Sequence, residues 1–292
     1  MASSTVSLTP EIRALYPFES HFLQINDLRY HYVDQGKGRP ILMVHGNPTW
    51  SFLYRRLIQQ FSGQHRVIAP DHIGCGLSDK PQDYRYRMAR HVANLEQLVL
   101  ELDLKDITLI VHDWGGPIGL SVASRHPSRF RNLVITNTAA FRSSRMPALL
   151  KLARIPGLGE LLIRGLNAFV LTTLATSAAK PIRGAVRRGF LAPYDNWQNR
   201  IATARFVQDI PTDPDHPSYT DLLLLERGLS SLRDKPTLLL WGERDWVFST
   251  YFRDRFREYF PEATVRSLPQ AHHLLFEDAP EEVAQAIGDF LR

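Results

Sequence analysis

The chain has 292 residues, 44% of them hydrophobic and 22% charged, the composition of an ordinary globular protein with room for one large α/β domain or two smaller ones. Its net charge of +5 is uneven, because residues 142–215 carry 11 Lys/Arg and 5 Asp/Glu, which leaves +6 on that segment and −1 on the remainder. A single cysteine, Cys75, excludes an internal disulfide, and the absence of a basic-then-apolar leader or an 18-residue apolar run leads us to expect a soluble, cytoplasmic protein.

In chain order, residues 1–18 read as a weakly ordered lead-in whose Tyr16-Pro17-Phe18 packs onto the core. Residues 21–25 and 28–33 alternate apolar and polar side chains around Asn26-Asp27, as in a tight edge hairpin. Residues 41–45 form a short continuous apolar run, the mark of a strand buried on both faces. A helix is expected over 52–61, a strand over 66–71, a Gly-rich turn over 72–78 and a helix over 88–102. The strand beginning at Ile107 ends at Asp113, and a helix follows over 117–125. Further strands are expected at 133–136, 237–241 and 265–268, and a last amphipathic helix at 281–291. Strands alternating with helices imply crossovers and a mainly parallel sheet of eight strands.

The gap from 137 to 236 contains no strand-like run. Helical stretches at 148–154, 158–174, 182–191 and 194–207 make it an inserted helical cap, since a structureless loop of that length is improbable. The expected domains are a core of 1–141 and 216–292 and a cap of 142–215. Leu162, Leu166, Phe169, Val170 and Leu174 are candidates for the cap's underside, most of them holding it to the core. Arg183, Arg187 and Arg188 are spaced as an exposed stripe; the basic cap suits an acidic protein partner, an anionic substrate, a membrane surface or a homo-oligomer contact. Nucleic-acid binding is not expected, because no basic-plus-aromatic platform is present.

Chemistry centres on Val111-His112-Asp113-Trp114-Gly115-Gly116. A β-branched run, a sharp turn and a helix describe a nucleophile elbow, with aspartate where serine is usual. In parallel sheets, reactive groups gather beyond the carboxyl ends of the strands. A base is expected after the last strand, where His272 and His273 compete and His273 follows the turn at Gln270-Ala271. No carboxylate follows the strand at 133–136, so the orienting acid is sought after 237–241, with Asp245 preferred and Glu243 the competitor. Asn47 and Trp114 can donate hydrogen bonds to a departing anion. The remaining histidines suggest no metal site, and no cofactor is expected.

His45-Gly46-Asn47-Pro48-Thr49-Trp50, Asp71-His72-Ile73-Gly74-Cys75-Gly76-Leu77-Ser78 and the elbow together resemble the haloalkane dehalogenases of the α/β-hydrolase superfamily. With the acid after the later strand, the chain is similar to the third dehalogenase subfamily and to the β-lactone decarboxylases of bacterial olefin biosynthesis. Asn137-Thr138-Ala139-Ala140-Phe141 and Gly189-Phe190-Leu191-Ala192-Pro193-Tyr194-Asp195 strengthen the second likeness. The resemblance implies an α/β-hydrolase fold with a cap and a small apolar substrate. It puts halide displacement first: Asp113 forms an alkyl ester, Asn47 and Trp114 hold the halide ion, and His273 with Asp245 activates water. β-Lactone decarboxylation is the alternative. Epoxide hydrolysis is weaker, because the cap offers only Tyr194 and the flanking Tyr219 as proton donors.

Overall fold

The apolar runs pair into one eight-stranded sheet in the computed structural model, which describes residues 6–292. The strands are β1 (His21–Ile25), β2 (Leu28–Gln35), β3 (Pro40–Val44), β4 (Arg66–Pro70), β5 (Ile107–His112), β6 (Phe130–Thr136), β7 (Thr237–Gly242) and β8 (Thr264–Leu268). Their order is β1-β2-β4-β3-β5-β6-β7-β8, antiparallel from β1 to β4 and parallel thereafter. This is an α/β-hydrolase fold.

Alternate side chains along each central strand enter different layers. Leu109 and Val111 pack with Val92, Leu95 and Ile118 from the helices Met88–Glu101 and Gly115–Arg125. Ile110 points to the other side, among Leu57 of Arg55–Phe61 and Val283 of Pro280–Leu291. Burial on both faces explains why these strands read as unbroken apolar runs. The register aligns Val44 with Val111, Val111 with Ile135, Thr136 with Leu240 and Gly242 with Leu268. The loops that follow these carboxyl ends therefore open on one edge.

Two expectations are corrected by local chemistry, and one helix is added. The lead-in, apart from residues 1–5, which lie outside the described residues, contains the helix Pro10–Leu15. Proline is accepted in a first helical turn, and Ile12 and Tyr16 are buried in the second layer. The helix expected over 158–174 breaks: Leu161–Gly165 forms a wider π turn, and Asn167 takes a left-handed φ of 54° before Ala168–Thr176. That break rotates Leu166 into solvent, 62% exposed, rather than onto an underside. Finally, Tyr219–Gly228 is a helix packed on Gly115–Arg125, close enough that a Cβ at Gly228 would meet the Ser124 side chain.

Candidate active site

The elbow is shaped by three close approaches. Asp113 has a φ of 52°, a left-handed conformation that Asp tolerates better than most residues. A Cβ on Gly115 would stand 1.9 Å from the Val44 carbonyl oxygen, and one on Gly116 would stand 1.9 Å from Thr138 Oγ1. Gly46 is constrained by Asp113 itself, whose Oδ1 would lie 2.1 Å from an added Cβ. The loop after β3 thus lies directly against the Asp113 carboxylate.

That contact supplies hydrogen bonds. The Asn47 backbone N–H donates to Asp113 Oδ1 at 2.6 Å, and the Trp114 backbone N–H also donates to the carboxylate. Burial raises the Asp113 pKa above the usual carboxylate range, while the His273 charge and these two donors oppose the rise.

The loops after β6, β7 and β8 meet beside it. His273 Nδ1 lies 2.8 Å from Asp245 Oδ2, and His273 Nε2 lies 3.9 Å from Asp113 Oδ2. Asp245 also accepts from Asn137 Nδ2 at 2.8 Å and from the Val247 N–H at 2.7 Å. Burial pushes Asp245 upward, but the His273 charge and these hydrogen bonds outweigh it and hold the carboxyl below its ordinary value. Burial pulls His273 down; Asp245, aided by Asp113, overcomes that pull and raises it. The two buried carboxyls are thus driven in opposite directions, a separation that suits different chemical roles.

The competitors lie elsewhere. Glu243 is exposed and pairs with Arg253 at 3.0 Å. His272 turns its backbone N–H to Asp278 Oδ2 at 2.8 Å, and its ring lies toward Asp278 rather than the elbow. Asn137 carries no role of its own in the sequence reading beyond marking a missing carboxylate and belonging to a family-like motif; its amide clips the ends of β6 and β7 together through Gly242 and steadies Asp245. His112 supports the His273 loop, its Nε2–H donating to the His273 carbonyl at 2.9 Å.

Asn47 and Trp114 border one cavity of about 150 Å³ together with Asp113 and His273. Asn47 Nδ2 gives one hydrogen to the Thr203 carbonyl at 3.1 Å, leaving its second free. The Trp114 ring is braced by Phe206, 5.2 Å between centroids. Phe169, Val207 and Phe248 make the walls apolar. Of Leu162, Leu166, Phe169, Val170 and Leu174, the candidates for this space of which most were expected to pack on the core, Phe169 alone lines it, and Val170 and Leu174 are buried in the second layer. The site combines a buried carboxylate, a histidine–carboxylate pair and the N–H-bearing side chains of Asn47 and Trp114 around a largely apolar cavity.

Comparison with known proteins agrees with this fold. Residues 39–280 match the family model of the α/β hydrolase fold. A cis-3-alkyl-4-alkyloxetan-2-one decarboxylase of Shewanella oneidensis is 42% identical over 95% of this chain and 89% of its own length. Haloalkane dehalogenase 2 of Mycobacterium tuberculosis is 34% identical over 97% and 98%. The crystal structure of the haloalkane dehalogenase DatA from Agrobacterium tumefaciens superposes with a TM-score of 0.85 at 26% identity, covering 94% of this chain and 96% of that one. The chain belongs to the α/β-hydrolase family, in the branch that holds the haloalkane dehalogenases and the oxetanone decarboxylases.

Proposed function

We propose that the protein is an aspartate-nucleophile enzyme whose substrate is a cis-dialkyl β-lactone, converted to an olefin and carbon dioxide. The observation that carries this choice is the higher identity to the oxetanone decarboxylase, 42% against 34% for the dehalogenase, over a site able to serve both.

In this proposal Asp113 attacks the ring carbon that bears oxygen, and the carbon–oxygen bond breaks toward the lactone carboxyl. The released carboxylate takes the N–H donors of Asn47 and Trp114. The bond from that carboxylate to its carbon then breaks, its electron pair forms the double bond, and Asp113 departs as a carboxylate. No proton moves and no water is consumed. A protonated His273, supported by Asp245, favours the departing Asp113 anion. The cavity walls exclude water that would divert the ester. Residues 142–215 serve as the cap over the core of 1–141 and 216–292, and a cytoplasmic location remains part of the proposal.

Haloalkane hydrolysis is the second reading, and the two backbone N–H groups on Asp113 favour it. After displacement of halide into the Asn47 and Trp114 donors, water activated by His273 attacks the ester carbonyl, and those N–H groups hold the oxyanion. Epoxide opening finds no comparable support, since neither Tyr194 nor Tyr219 borders the cavity among the described residues.

A side-by-side assay with a cis-dialkyl β-lactone and 1-bromobutane, measuring olefin and bromide, tests the choice. Rapid olefin release with little bromide is expected. Bromide release without olefin would overturn it.

A further inference from the structure

The chain segment beyond Phe141 carries a surface that neither reaction uses. Leu149, Leu152, Ile155, Leu158, Leu161 and Leu166 are 39–62% exposed. Trp197 extends this face, because a Cβ on Gly165 would touch both Leu161 and the Trp197 ring, and the indole itself is 42% exposed. Single exposed leucines are ordinary; a run recurring every third residue from 149 to 161 is an unpartnered apolar strip.

Its surroundings are cationic. Between 142 and 166 the chain has five cations; Arg142 is paired with Glu226 and Arg164 is buried against Glu160, so Arg145, Lys151 and Arg154 are the basic groups the strip offers an anionic surface. Among the described residues no single helix is long and apolar enough to cross a bilayer, and Leu158–Gly165 and Ala168–Thr176, apolar enough only together, are bent by 69° to each other. The second of these helices commits Val170 and Leu174 to the core. An apolar strip with basic flanks and no single spanning helix is suited to lie in an interface.

The strip also borders the cavity. Arg145, Met146, Pro147 and Leu150 line it and run directly into the exposed leucines. A volume of about 150 Å³ is benzene-sized, enough for a reacting ring and too small for long alkyl chains. A longer chain has to extend beyond the cavity, and residues 145–150 form one side of its lining.

We propose that residues 149–166, with Trp197, dock on an anionic lipid bilayer, so that an alkyl substrate passes between the acyl region and the cavity without crossing water. Anionic headgroups match the Lys and Arg side chains while the leucines and Trp197 enter the acyl boundary. A second copy would set basic flank against basic flank. Docking stands independently of the reaction; only its purpose, delivery of an alkyl substrate, rests on the lactone chemistry proposed above.

The test sediments the full chain with vesicles of phosphatidylcholine plus phosphatidylglycerol, and with phosphatidylcholine alone. Binding to the anionic vesicles is expected, weakened by salt and by Lys151→Glu. The paired variant Leu152→Asp/Leu161→Asp should lose at least about tenfold in partitioning, since each change removes a buried leucine from the interface. Both sites are exposed, so unchanged thermal unfolding checks the fold. The paired variant should turn over a short, water-soluble β-lactone at the parent rate and a vesicle-dissolved long-chain lactone about tenfold more slowly. An enzyme inactive on both lactones would sink the lactone proposal while leaving the sedimentation result to decide docking. No binding, equal binding to neutral vesicles, binding unmoved by the paired variant, or a dimer in sedimentation velocity that this variant dissolves would each overturn docking.

Discussion

His273 Nε2 stands 3.9 Å from Asp113 Oδ2 while its Nδ1 is held 2.8 Å from Asp245. The imidazole is therefore anchored on one side and beyond hydrogen-bond reach on the other, and in the proposed chemistry it acts on what becomes attached to Asp113. His273→Phe should trap an alkyl ester on Asp113 from 1-bromobutane, seen as a mass increase of the intact protein. With the lactone no water is needed, so olefin should still form, slowed by loss of the imidazolium. A parent enzyme that releases bromide, paired with a variant that shows no adduct, would count against covalent catalysis.

Asp245 and Glu243 separate cleanly by environment. Asp245→Asn should lower bromoalkane turnover by roughly 10²–10⁴, because the amide no longer fixes the His273 tautomer or supports its charge. Glu243→Gln should remain close to the parent, since that side chain faces solvent and Arg253. Steady-state kinetics of the two variants decides the matter, and the opposite ranking would move the acid.

The raised Asp113 pKa has a kinetic sign. Protonation removes the nucleophile, so kcat/KM should fall on the acid side at a pH above the ordinary carboxylate range. A fall that begins only within that ordinary range contradicts the desolvated site. His273 gives opposite signs for the two chemistries. Its pKa is raised, so ester hydrolysis, which needs the neutral ring, should quicken as pH climbs through that value. Lactone turnover, helped by the cation, should slow over the same interval.

Stability near the base depends on a buried ion pair. Arg55 donates to Glu277 through Nη1 at 2.5 Å and Nη2 at 2.8 Å, with both side chains almost wholly enclosed. Glu277 lies in Leu275–Asp278, the helical turn after His273. Arg55→Met leaves that carboxylate uncompensated and should cost about 3–5 kcal/mol by denaturant unfolding, with much of the loss recovered in Arg55→Met/Glu277→Leu. An unchanged unfolding midpoint in the single variant would refute this.

The core strands were legible because burial on both faces leaves a simple signature, and their carboxyl ends then locate Asn47, Asp113, Asp245 and His273. The choice between neighbours such as His272 and His273 was legible as a preference and takes its geometric basis from Asp278, which holds the His272 N–H. What the chain order concealed were features decided by tertiary context. Asn167 ends a helix whose apolar pattern runs straight through it. Leu166 has the composition of a lining residue and the position of a surface one. Asn137 reads as an empty place in the triad and turns out to be hydrogen-bonded to the acid that fills it.

The N–H groups of Asn47 and Trp114 that clasp Asp113 belong to the main chain. Substituting alanine at either residue deletes its side-chain donor and leaves the backbone one intact. A systematic alanine survey would therefore leave untouched the main-chain donors that the proposed mechanism relies on. Exposing them calls for a change to the backbone itself, such as amide-to-ester replacement at residue 47 or 114 by semisynthesis.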